Sequence, residues 1–122
     1  MPQITNDFNP IKAISTLREN AVEIEKIGAE IEAKRIEMIK VMATLMDAEE
    51  AAREIVFKEE IKASLVRDYI KLKTAKEQKA HDLLREEIRI LENRKDILIE
   101  VNNSLKASFR IHEMEAKNLN LN

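Results

Sequence analysis

The chain has 122 residues, of which 36% are charged and 3% aromatic, and its formal net charge is −2. The absence of Cys excludes disulfide frameworks, zinc–thiolate sites and thiol nucleophiles, and one Gly with two Pro leaves a turn-rich β fold without its turn residues. We therefore expect one small all-α domain built from long amphipathic helices. The N-terminus lacks the basic start of a secretory signal, and no apolar run approaches membrane-spanning length. These features predict a soluble, cytoplasmic protein with no membrane partner.

The first helix is predicted near residues 10–46, after an N-terminal tail of residues 1–8. Asn9 is a favourable N-cap, Pro10 suits the first helical position, and Phe8 is expected to fold back on the first turns. A heptad-spaced stripe follows, which comprises Ile14, Leu17, Ala21, Ile24, Gly28, Ile31, Arg35, Met38, Met42 and Leu45. Its apolar face is widened by Ile27, Ile36 and Ile39. A face of this width indicates contact with more than one neighbouring helix.

The second helix is predicted near residues 48–72. Asp47 and Glu50 have the spacing of a capping box, in which two side chains satisfy free backbone amides. The same segment is rich in Ala and Glu, so an uninterrupted helix through residues 47–50 is the alternative.

The third helix is predicted near residues 75–116, with Thr74 and Glu77 as its capping box. It is expected to return antiparallel to the first, with Lys73 to Lys76 near the hairpin tip. Its heptad stripe comprises Leu84, Ile88, Leu91, Lys95, Leu98, Asn102, Leu105, Phe109 and His112. A second apolar line comprises Leu83, Ile90, Ile97, Val101 and Ile111. Residues 117–122 are predicted to be a frayed tail.

The predicted architecture is an elongated helical hairpin or coiled-coil-like bundle of two to three long helices. It forms a single domain over residues 9–116 and is completed by formation of a homo-oligomer, because such helices bury little surface alone. The core or oligomer seam is predicted to contain Ile14, Leu17, Ile24, Ile31, Met38, Leu45, Leu84, Ile88, Leu91, Leu98, Leu105 and Phe109. Three polar residues of the stripes, Arg35, Lys95 and Asn102, either select the register of the helices or face water.

Charge is unevenly distributed, which makes nucleic acid a candidate partner. Residues 1–61 contain 8 basic and 13 acidic side chains, whereas residues 62–122 contain 13 basic and 10 acidic ones. The candidate nucleic-acid contacts, termed the basic group below, are Arg67, Lys71, Lys73, Lys76, Lys79 and Arg85. Such a cluster can bind phosphates with release of counterions, but packing between acidic and basic halves explains the asymmetry equally well.

No motif for catalysis, cofactor binding or metal binding is recognisable, and no small-molecule substrate is expected. Glu77 and His81 share one helix face, but a metal site needs three or four ligands, so we interpret them as a solvated pair. The chain has neither a Gly-rich phosphate loop nor a nucleophile elbow. The sequence predicts a protein that is not an enzyme.

Two passages resemble the recombination-mediator family of T-even and related phages. YIKLKTAKEQK, residues 69–79, resembles its spaced-Lys segment, and residues 91–115, with Leu105 and Phe109-Arg110-Ile111, resemble its C-terminal helix. The family consists of short all-helical proteins that form rings, bind single-stranded DNA and help load a recombinase. The resemblance covers the last half of the chain. It implies an accessory role in recombination or replication, and the host cytoplasm as location.

Two functional hypotheses follow. In the first, a helical oligomer contacts single-stranded DNA through the basic group at the predicted hairpin tip. In the second, the chain is a protein-interaction module, such as an adaptor, a chaperone or a virus-encoded inhibitor, or a structural assembly component without a nucleic-acid role. Wide apolar stripes and five Met residues, which adapt to partner surfaces, motivate the second hypothesis.

Overall fold

The computed structural model describes residues 8–121 of the chain, with the side chains of residues 8–118. It contains three helices, α1 (Pro10–Lys58), α2 (Ala63–Lys73) and α3 (Ala75–Leu121), and no strand within the described residues. This confirms the all-α prediction. In the described part of the chain, no helix combines the length and the apolarity needed to cross a lipid bilayer.

The chain divides into two compact units, and each contains one segment of α1 and one of α3. The terminal unit comprises residues up to Ala29 and from Glu92 onwards, and the central unit comprises Glu30–Leu91, including α2.

Helices α1 and α3 are antiparallel within the terminal unit. Near the start of α1, the ring of Phe8 lies 5.1 Å from that of Phe109, edge to face. Further along α1, Asn20 pairs with Asn102, and Glu23 then pairs with Arg94. Contacts that advance along α1 therefore move back along α3, as an antiparallel pair requires.

The central unit has the same antiparallel arrangement. Lys34 of α1 contacts Glu87 of α3, whereas Thr44, a later residue of α1, lines one cleft with the earlier Lys76. The antiparallel return predicted for the third helix is thus present in each unit.

The heptad positions predicted for the seam of α3 are the less exposed ones. Leu84 is buried, and the heptad positions that follow it are all half-buried. These half-buried residues are Ile88, Leu91, Lys95, Leu98, Asn102, Leu105, Phe109 and His112. Lys95 and Asn102 therefore do belong to the seam of the helix pair.

The seam predicted for α1 is half right. Ile31 and Leu45 are buried, and Leu17, Ile24 and Met38 are half-buried, as expected. At every second position of the predicted stripe, however, the core-facing residue is the one immediately before the predicted residue. The core-facing residues there are Ala13, Asn20, Ile27, Lys34 and Val41, whereas Ile14, Ala21, Arg35 and Met42 are exposed and Gly28 is half-buried. Ile14 therefore lies outside the seam between α1 and α3, and of the two alternatives for Arg35 the structure agrees with the exposed one.

The predicted break at residues 47–50 is absent, because α1 continues to Lys58. The chain instead turns at residues 59–62, where Glu60 has a φ of 50°. This left-handed backbone conformation favours Gly or Asn, so the turn has no local sequence signal. The hairpin tip predicted at Lys73 to Lys76 is wrong, since the reversal after α1 occurs before α2.

The N-cap of α1 is as predicted. The Asn9 side-chain oxygen accepts a hydrogen bond from the Lys12 amide at 3.2 Å. Phe8, just before the cap, contacts the rings of Phe109 and His112 on α3. The remaining residues of the predicted N-terminal tail lie outside the described residues.

The predicted end of α3 is too early. The helix continues to Leu121, so most of the predicted C-terminal tail is helical, and residue 122 lies outside the described residues.

Candidate interaction surfaces

A pair of Asn side chains forms the polar centre of the terminal unit. Asn20 donates from its amide to the Asn102 side-chain oxygen at 2.9 Å, and the Asn102 amide faces the Leu17 carbonyl at 3.4 Å. Both side chains are half-buried. Because one partner lies on α1 and the other on α3, sliding either helix breaks the hydrogen bond. The pair therefore sets the register of the helices.

Lys95 and Gly28 lie close together in the same unit. A Cβ atom added to Gly28 would lie 3.9 Å from the Lys95 ammonium, which is an ordinary contact distance. Gly28 therefore does not mark a point where helix backbones require the absence of a side chain.

An interhelical ion pair links the two long helices in the central unit. The Lys34 ammonium donates to the Glu87 carboxylate at 3.0 Å. This hydrogen bond raises the pKa of Lys34 above its usual value. Lys34 takes the core-facing position that the sequence pattern assigned to Arg35, and its aliphatic stem can cover apolar surface while its ammonium reaches Glu87.

Thr74 is buried between α2 and α3, with 4% of its surface exposed. Its hydroxyl donates to the Ile70 carbonyl at 2.7 Å, and its backbone amide donates to the same carbonyl. The hydroxyl thus satisfies the end of α2 instead of accepting from the first turn of α3. The predicted capping box of Thr74 and Glu77 is wrong.

Glu77 lines a cleft of about 340 Å³ between α1 and α3 of the central unit. The other lining residues are Glu37, Lys40, Val41, Thr44, Lys76 and Ala80. One Glu77 oxygen is buried without a hydrogen-bond partner among the described residues. The cleft mixes two carboxylates with two ammonium groups, so its charge selects neither a cation nor an anion.

His81 contacts Asp82 and not Glu77, contrary to the predicted solvated pair. The His81 Nδ1 atom lies 3.1 Å from an Asp82 oxygen, which also accepts from the Gln78 amide at 2.9 Å. The contacts with His81 and Gln78 hold the pKa of Asp82 below its usual value. Among the described residues, no group of three or more metal-binding side chains comes together.

The basic group is exposed throughout, but it does not form one surface. At about 100° per residue, Lys76 and Arg85 lie on opposite sides of α3. Arg85 also pairs with Asp82 at 3.6 Å, whereas Lys73 lies over the Tyr69 ring, 5.6 Å from its centroid. Within the described residues, none of the ion pairs involves Lys71, Lys73, Lys76 or Lys79.

A second apolar stripe occupies the face of α1 that points away from the core of the central unit. This outer stripe comprises Ile36, Ile39, Ala43 and Met46, which follow one another at heptad spacing. Ile36 is 54% exposed, Ile39 68% and Met46 65%. At about 100° per residue, the centre of the outer stripe lies about 130° around the helix from the centre of Ile31, Lys34 and Met38. Helix α3 therefore leaves it uncovered.

The second apolar line predicted on α3 is also outside the core. Leu83 and Ile90 are exposed in the central unit, and Ile97, Val101 and Ile111 are exposed in the terminal unit. Both long helices thus have an apolar face that the helix pair does not bury.

Comparison of the chain with protein-family models, with characterised proteins and with solved structures found no match.

Sequence reasoning missed three residues of these surfaces. Asn20 and Lys34 were absent from the predicted seam because the assumed frame placed Ala21 and Arg35 there. The sequence did contain a signal. In an antiparallel hairpin, Asn20 can pair with Asn102, a polar seam residue of α3, and Lys34 can pair with Glu87, an acid of α3. The burial of Thr74 had no such signal, because a Thr before a helix is more often an exposed cap.

Proposed function

We propose that this chain is a non-enzymatic helical assembly protein, in which the antiparallel pair of α1 and α3 presents the outer stripe to another amphipathic helix. The single observation that carries the proposal is the exposure of Ile36, Ile39 and Met46 on one heptad-spaced face. Scattered exposed apolar residues are ordinary, but a contiguous apolar stripe marks an interaction surface. Its spacing fits the knobs-into-holes contacts of a further helix.

Replacing Ile39 with Glu is expected to weaken this association at least about 100-fold, because a carboxylate is then buried among apolar side chains. Met46→Glu should have a similar effect. The measurement is molar mass in solution over a range of protein concentrations, by sedimentation equilibrium or light scattering. Wild-type protein should be larger than one chain, and each variant should dissociate to single chains.

The matched control is Ala51→Glu, which adds the same charge at an exposed residue of α1 outside the outer stripe. It should leave the molar mass unchanged. A wild-type protein that stays a single chain, and that captures no helical partner from its native host, would contradict the proposal.

A second candidate function is contact with single-stranded nucleic acid, in keeping with the resemblance to phage recombination mediators. The observation that favours it is the exposure of Lys71, Lys73, Lys76 and Lys79, which take no part in the ion pairs among the described residues. In an oligomer, repeated copies of a weak basic patch would add through multivalency.

The combined replacement of Lys73, Lys76 and Lys79 with Glu is expected to weaken DNA binding at least about tenfold and to flatten its salt dependence, because fewer counterions are released. Fluorescence anisotropy with labelled single-stranded DNA at two salt concentrations measures both effects. The control replaces exposed Lys12, Lys26 and Lys106 with Glu, which changes the net charge equally. Equal losses in the two triple variants, or no salt-sensitive binding by the wild type, would exclude this function.

A further inference from the structure

We infer that the outer stripe is covered by the outer stripe of a second copy of this chain, with the two α1 helices antiparallel and the two-fold axis near residue 41. This inference rests on the proposed function and adds the identity of the partner, its direction and its register. It concerns the central unit alone. The support comes from two features of α1: the order of apolar residues along the stripe and the charges beside it.

The apolar residues pair well in this register. Ile36 lies opposite the partner's Met46, and Ile39 lies opposite the partner's Ala43. By the two-fold symmetry each contact occurs twice, which gives four apolar layers, two that pair Ile with Met and two that pair Ile with Ala. Apolar side chains thus fill every layer of the interhelical seam.

Other antiparallel registers bury a charge. The stripe ends at Glu32 on one side and at Glu50 on the other, both exposed and in the same heptad frame. A shift of one heptad places either Glu32 against the partner's Ala43 or Glu50 against the partner's Ile39. In the inferred register the two Glu residues meet only at the edges, where water reaches their carboxylates. They limit the contact to four layers and keep it weak.

The charges beside the stripe favour the antiparallel direction. Along one flank the residues are Arg35, Met42 and Glu49. In the inferred dimer, Arg35 faces the partner's Glu49, Met42 faces the partner's Met42, and the ion pair occurs twice. Glu49 already lies 3.4 Å from Arg53 of its own chain, so its carboxylate would sit between two guanidinium groups. On the other flank, Lys40 faces the partner's Lys40 in a single contact at the solvent edge.

In a parallel dimer, by contrast, the charges beside the stripe repel each other. It sets Arg35 against the partner's Lys40 and Glu49 against the partner's Glu54, and both like-charge contacts occur twice. Like charges at these flanking positions disfavour a coiled-coil orientation. Arg35 and Glu49 therefore favour the antiparallel dimer, in which each keeps the interaction that it has within its own chain.

Cysteine cross-linking tests the direction, because the chain has no Cys of its own. Lys40→Cys and Glu54→Cys introduce single thiols at exposed, heptad-equivalent positions of α1. In the antiparallel dimer the two copies of residue 40 meet at the two-fold axis, whereas the two copies of residue 54 lie about 40 Å apart along the helices. A short bis-maleimide should therefore cross-link the Lys40→Cys protein and leave the Glu54→Cys protein uncross-linked.

The outcomes separate this inference from the proposed function. Cross-linking of both variants would indicate a parallel dimer and overturn the inference. Cross-linking of neither, in a protein whose molar mass still exceeds one chain, would also overturn it while leaving the proposed function intact. A protein that is a single chain at all concentrations would contradict both.

Reversing the charge of Arg35 provides an independent test, because the antiparallel and parallel dimers predict opposite changes in affinity. Arg35→Glu should weaken an antiparallel dimer about tenfold, because a carboxylate then faces the partner's Glu49 at both ends. In a parallel dimer the same change faces the partner's Lys40 and tightens association, which would overturn the inference. Combining Arg35→Glu with Glu49→Arg should restore the wild-type dissociation constant. Circular dichroism checks that each variant keeps its helix content.

Discussion

Replacing Ile27 with Ala is expected to lower the free energy of unfolding of the protein by about 2–4 kcal/mol. Ile27 is 2% exposed, the lowest value of any large side chain in the described part of the core. The change removes buried methyl groups and leaves a cavity, since the seam residues of α1 and α3 around it are held by helix geometry and cannot fully close the gap. Urea denaturation followed by circular dichroism, at one fixed protein concentration, measures the loss.

The matched control is Ile11→Ala, which makes the same chemical change on α1 in the same unit. Ile11 is 82% exposed, so its side chain gains little from folding. The expected change is within about 0.5 kcal/mol, as for other surface substitutions. Equal losses in the two variants would mean that Ile27 does not face α3.

Replacing Asn102 alone with Leu is expected to destabilise the protein by about 1–3 kcal/mol, because the amide of Asn20 loses its partner within the seam. Replacing both Asn20 and Asn102 with Leu should recover this loss and can exceed the wild-type stability, since an apolar pair needs no hydrogen bond. The same denaturation experiment gives all three values. A double variant less stable than the single variant would contradict this account of the pair.

The double variant should also lose the register that the Asn pair imposes. Two Leu residues pack acceptably in more than one alignment of the helices, whereas the Asn20–Asn102 hydrogen bond forms in only one. Amide spectra of the double variant are therefore expected to contain additional or broadened resonances from residues of the terminal unit. Sharp single resonances would show that apolar packing alone sets the register.

The frame of α3 could be predicted from sequence, although a second apolar line runs beside it. The frame one residue earlier also contains Glu87, Arg94, Ser104 and Ser108, so it is less consistent with burial. The α1 stripe is wide, and two frames that differ by one residue contain similar apolar content. The choice of Ile27 over Gly28, and of Lys34 over Arg35, was made by partners on α3 that are distant in sequence.

The basic group was also predicted only in part from the sequence. Its residues are exposed, as their composition predicted, but their positions relative to the chain reversal were predicted wrongly. The sequence signals favoured a break at Asp47 and a cap at Thr74, because both have the spacing of a capping box. The observed turn at residues 59–62 contains neither Gly nor Pro, and Glu60 adopts its positive φ within a segment whose own composition favours helix.

The sequence by itself determined that this protein is helical, where its first helix begins, and which face of α3 is buried. These features depend on contacts within a few residues: an N-cap, the helix period and the absence of turn residues. Only the tertiary structure decided which side of α1 faces α3, where α1 ends and that Thr74 is buried. Those features depend on residues far apart in the chain, such as Asn20 with Asn102 and Lys34 with Glu87. The outer stripe became distinguishable from the core for the same reason, since both have the same period and only one has α3 against it.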